Sequence, residues 1–101
     1  MQPILKDNLA EVILILKAHH VKRAFAFGSV CTDQFNENSD IDFLISFEDH
    51  LDPIQYGESY FNLMYSLQDL LKREVDLVTE RTLKNPFFIK VLNKTKTPLY
   101  E

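Results

Sequence analysis

Apolar residues at helical spacing open the chain. Leu5, Leu9, Val12, Ile13 and Leu16 recur every three or four positions and predict a first helix that ends near His19-His20. "VKRAFAF", Val21 to Phe27, reads as a short strand stopped by Gly28, with a loop or short helix after it. "DIDFLISF", Asp40 to Phe47, reads as a second strand. Alternation puts Ile41, Phe43, Ile45 and Phe47 on one face and Asp40, Asp42, Leu44 and Ser46 on the other. Asp52-Pro53 predicts a turn. A helix follows with Tyr60, Leu63, Met64, Leu67, Leu70 and Leu71 inward, its start open between Pro53 and Ser59 because Gly57 weakens an early one. "EVDLVT", Glu74 to Thr79, predicts a third strand. Asn85-Pro86 predicts an N-cap and first helical position, with Phe87, Phe88, Val91 and Leu92 as the buried face of a short helix. "TPLY" adds a final edge strand. The predicted order, α-β-β-α-β-α, gives an α/β (α+β) fold in which helices pack on a small mixed sheet.

With 101 residues and neither repeat nor linker, residues 1–101 are expected to form one domain. No apolar run has membrane-spanning length, and the first residues lack the features of a signal peptide. Cys31 is the only cysteine, which excludes an internal disulfide and favours a reducing, cytoplasmic setting. The formal net charge of −4 argues against a bare nucleic-acid clamp and against direct nucleic-acid binding.

The chemistry concentrates between Gly28 and Asp76. Asp40 and Asp42, two apart, are expected to project from one face of one strand. Side by side they resist double ionisation, and a divalent cation removes the conflict. Mg²⁺ suits them, since it takes hard oxygen ligands and is usually shared with substrate phosphates. Asp76 adds a third carboxylate if its strand neighbours that of Asp42. Such a set can hold two metals for phosphoryl or nucleotidyl transfer. Gly28 lets a phosphate approach the backbone, and Ser29 and the turn after it offer hydrogen-bond donors. A purely structural cation site would explain the aspartates but leave Gly28 and Ser29 idle.

Gly28-Ser29, ten residues, Asp40-Ile41-Asp42, and then Val75-Asp76-Leu77-Val78-Thr79 resemble the minimal nucleotidyltransferases of the DNA polymerase beta superfamily. The likeness covers nearly the whole chain. It implies the nucleotidyltransferase fold, ATP as substrate and AMP as the transferred group. It also implies catalytic and metal-binding roles for Asp40, Asp42 and Asp76, with two Mg²⁺ ions, and nucleotide binding by Gly28 and Ser29. Stand-alone members of this kind often pair with HEPN-domain toxins and modify a toxin tyrosine, so the resemblance implies an antitoxin with a HEPN-domain partner. The chain departs from the family at one place. Val30-Cys31-Thr32-Asp33 stands where Arg-Ala-Arg-Gly is usual, which removes two arginines and adds an acid. That departure keeps open an antitoxin or adaptor that acts by protein binding alone.

Overall fold

The computed structural model describes all 101 residues, Met1–Glu101. The first apolar run forms two helices rather than the one expected: α1, Pro3–Lys6, and α2, Leu9–Ala18. Asn8 leaves the helical path, and its side-chain amide donates to the Ile4 carbonyl at 2.7 Å, a local bond that competes with helix continuation. Leu5, Val12 and Leu16 are fully buried across the break. At the end of α2 the His19 ring sits 2.7 Å from the Ile15 carbonyl, and His20 turns the chain with φ 67°.

The four expected strands are present: β1, Val21–Phe27; β2, Ile41–Phe47; β3, Val75–Thr79; and β4, Thr97–Tyr100. Their order is β3-β2-β1-β4, with β2 and β3 parallel and the other pairs antiparallel. The expected strand beginning at Asp40 starts one residue later, so Asp40 is the last loop residue before β2. "TPLY" is an edge strand, as its position predicted.

The next helix, α3, spans Pro53–Leu71. Asp52-Pro53 is its N-cap and first residue rather than a separate turn. The Asp52 carboxylate accepts from Gln55 N–H at 2.8 Å, and Asp52 N–H donates to Gln55 Oε1 at 3.2 Å. This reciprocal cap and Pro53 outweigh Gly57, which sits inside the helix with open space around it. Leu63, Leu67 and Leu71 are buried; Tyr60, Met64 and Leu70 pack partly buried against the same core.

One sheet face, with Ala24, Ala26, Ile41, Phe43, Ile45 and Leu77, meets α1, α2 and α3 in the main core. The other face is only partly covered, by α4, Pro86–Thr95. Asn85 caps α4 with bonds from Phe87 N–H and Phe88 N–H. Here the expectation of a buried Phe87-Phe88-Val91-Leu92 face fails. Leu92 alone is buried, on Phe25, Phe27 and Leu44, while Phe87 is 81% and Val91 56% exposed. Their spacing is helical, but this face of the sheet is narrow and accepts one ridge of α4, not three.

Candidate functional site

Strand register builds the partly open face in rows. Phe27 is paired with Asp42, and Asp42 with Asp76; the next row is Phe25, Leu44 and Val78. Asp42 and Asp76 therefore stand side by side on adjacent strands, about 4.8 Å apart in the pairing direction. Asp40 lies at the rim, exposed, just before β2. No three such groups form a ready-made cation cage. The expected convergence of three carboxylates is thus a facing pair with Asp40 beside it. None of the three makes an ion pair within the protein.

The electrostatics follow from this placement. Asp42 is half-buried, and its pKa is raised to about 6, first by burial and then by the charges of Asp76 and Asp40. Burial and the same Asp76 charge also raise the Tyr60 phenol, whose hydroxyl donates to the Leu77 carbonyl at 3.0 Å. Uncompensated carboxylates, one of them half-buried, favour a cation.

Gly28 begins a short 3₁₀ turn, Gly28–Cys31, directly at the end of β1. Its φ is +75°, and a Cβ there would lie 2.5 Å from Asp42 Oδ2. Glycine is therefore required twice, for the backbone and for the space beside the carboxylate. Ser29 is the next residue of that turn and is partly exposed. The Gly28 N–H is not free, because it donates to Thr95 Oγ1 at 3.1 Å.

Two positioning residues escaped the sequence pattern. Arg73 donates to the carbonyls of Asn36 and Ser39 at 2.7 and 2.8 Å and stacks over Phe35, so it holds the loop that delivers Asp40. Thr95 ties the end of α4 to Gly28. Both are single polar residues reaching distant backbone, for which no local spacing gives a signal. The Cys31 side chain packs partly buried against the main core, as a small apolar residue does.

Residues 10–101 match the sequence family described as Polymerase beta, Nucleotidyltransferase. The chain belongs to this family. Two relatives from Methanocaldococcus jannaschii, both named as protein adenylyltransferases, are 34% and 36% identical to it. The matches cover 83% and 89% of this chain and 86% and 89% of those chains. A solved structure of a minimal nucleotidyltransferase superposes with a TM-score of 0.74 at 28% identity, over 97% of this chain and 96% of the other. A toxin-antitoxin structure with AMP-PNP gives 0.72 at 25% identity, over 92% of this chain and 73% of that one. A complex of tri-AMPylated HEPN toxin with MNT antitoxin from Shewanella oneidensis gives 0.66 at 23%, over 94% and 71%. The mixed sheet with helices is accordingly the minimal nucleotidyltransferase fold, and no helix in it is long and apolar enough to cross a membrane.

The donor set fits Mg²⁺. It consists of hard carboxylate oxygens without protein counter-charges, and one or two carboxylates suffice where substrate phosphates complete the shell. Asp40, Asp42 and Asp76 are the residues that would hold the ions, which would neutralise charge developing on the phosphates.

Proposed function

We propose that this nucleotidyltransferase moves AMP from ATP, with Mg²⁺, to a tyrosine hydroxyl of a HEPN-domain partner and acts as an antitoxin. The observation that carries the reading is Asp42 set between Asp76 and Gly28: paired with the first across the parallel strands, and touching the space the second leaves empty. Relatives named as protein adenylyltransferases support the reaction class. Toxin-antitoxin neighbours, one with AMP-PNP and one with an AMPylated HEPN toxin, support the nucleotide and the partner.

In this reading the acceptor oxygen bonds to the α-phosphorus of ATP, and the bond from that phosphorus to the bridging oxygen of the β-phosphate breaks. Pyrophosphate leaves, and the phenol proton passes to Asp76 or to solvent. Asp40 and Asp42 would hold a metal that accompanies the triphosphate, and Asp76 would hold one at the acceptor; such ions would neutralise charge on the phosphates. Gly28 and Ser29 seat the phosphates, with the Ser29 hydroxyl as donor. The test is co-expression with a HEPN-domain protein, followed by intact mass of that partner. A gain of one or more AMP units is expected.

The Val30-Cys31-Thr32-Asp33 loop favours a second reading, an antitoxin that acts by binding alone. A complex without mass gain would select it.

A further inference from the structure

The phosphate loop carries no arginine and ends at the exposed acid Asp33, yet the segment Arg81–Tyr100 holds five cations and no acid in a chain of net charge −4. Half of that segment is α4, which carries Lys90 and Lys94, and its seating on the sheet says how these two are placed. Phe88 meets the Phe27 ring edge-on at 6.0 Å, Leu92 packs on Phe25, Phe27 and Leu44, and Thr95 bonds Gly28. These three positions are the ridge facing the sheet. Ile89, Asn93 and Lys96 form the flank to one side, and they line a cavity of about 340 Å³ with Arg23, Phe25 and Leu44, away from the aspartate row. By helical geometry Phe87, Val91 and Lys94 form the opposite flank. That flank lies on the side of α4 away from this cavity, with Lys94 next in sequence to Thr95, which bonds Gly28.

We propose that the Phe87–Val91–Lys94 flank of α4 is the second wall of the nucleotide site. Lys94 supplies the phosphate-facing cation that the loop lacks, and Phe87 offers its exposed ring to the purine. This deepens the reading of the site as a nucleoside triphosphate site and rests on it. It also gives a use to Phe87 and Val91, which the sheet leaves exposed. Lys90, one turn away on the solvent side of α4, is the matched control.

The experiment is calorimetric titration of the whole protein with Mg²⁺–ATP and with Mg²⁺–tripolyphosphate, which has no base. Lys94→Ala is expected to weaken both probes roughly tenfold, an effect that shrinks as salt rises, while Lys94→Arg retains both. Phe87→Ala is expected to weaken ATP about fivefold or more and leave tripolyphosphate unchanged. Lys90→Ala should match the parent. If Lys94→Ala and Lys90→Ala are indistinguishable in a parent that binds both probes, the nucleotide site stands and the Lys94 assignment falls. If Phe87→Ala keeps ATP affinity but loses the HEPN-domain partner, the flank is a protein contact and the stacking role is overturned. A parent that binds neither probe removes the nucleotide site and this wall with it.

Discussion

Replacing Asp42 by Asn should make the metal-free protein more stable while destroying its site. The carboxyl is lifted from its ordinary value of 3.8 to about 6, first by burial and then by Asp76 and Asp40. Between those values the folded chain holds a proton that the unfolded chain has released. Stability from this group is therefore greatest at or below about pH 4, falls as pH rises through the window, and is lowest above pH 6. A shift of about two units corresponds to roughly 3 kcal/mol at about 1.4 kcal/mol per unit. Asp42 is only half-buried, so solvent screening reduces this to about 1–2 kcal/mol. An asparagine keeps the shape and never pays that cost. For a domain of this size the gain is a Tm rise of roughly 5–15 °C at pH 7.5. The assay is thermal unfolding of both proteins in EDTA at pH 7.5 and pH 4. The variant should lead at pH 7.5 and lose its lead at pH 4, where the parent carboxyl is protonated. A variant no more stable at pH 7.5, or equally advantaged at both pH values, would refute the electrostatic account of the aspartate row.

Other outcomes follow from the same geometry. Gly28→Ala should lose about 1–2 kcal/mol from its left-handed backbone alone, and more from the collision with Asp42, with Mg²⁺–ATP binding lost in calorimetry. Gly57→Ala, in contrast, should raise stability by about 0.5–1 kcal/mol in urea unfolding, because the helical site has open space for a methyl. Asp76→Asn should abolish AMP transfer while largely preserving Mg²⁺–ATP affinity, whereas Asp42→Asn should weaken both, read by labelled transfer beside calorimetry. Asp33→Gly with Thr32→Arg should tighten ATP binding at low salt and less so at high salt.

The fold was legible where periodicity had one meaning. The short run Val21–Phe27 stopped by Gly28, the alternation over Ile41–Phe47 and the Asn85-Pro86 cap predicted elements that the structure contains. The candidate site was proposed from residue types at fixed spacing, and the parallel pairing of β2 and β3 brings Asp42 and Asp76 together. What was not legible depended on tertiary surroundings. Helical spacing in Pro86–Thr95 says which residues share a stripe, but only the narrow free face of the sheet decides that Phe87 and Val91 stay outside. Asp40 reads as a strand residue by alternation, yet Arg73, from beyond α3, holds its loop and ends the strand at Ile41. The break at Asp7-Asn8 rests on one side-chain bond to Ile4, a choice that apolar spacing does not record.

The central claim is that three carboxylates and a glycine turn direct AMP, and no other part of ATP, onto a protein hydroxyl. Incubation of the HEPN-domain partner with this protein, Mg²⁺ and ATP labelled at either the α- or the γ-phosphate tests it most directly. The account predicts α-label on a partner tyrosine, γ-label released as pyrophosphate, and neither on the partner with Asp76→Asn. Label from the γ-phosphate on the partner, or no α-label from the parent protein in a stable complex, would contradict it.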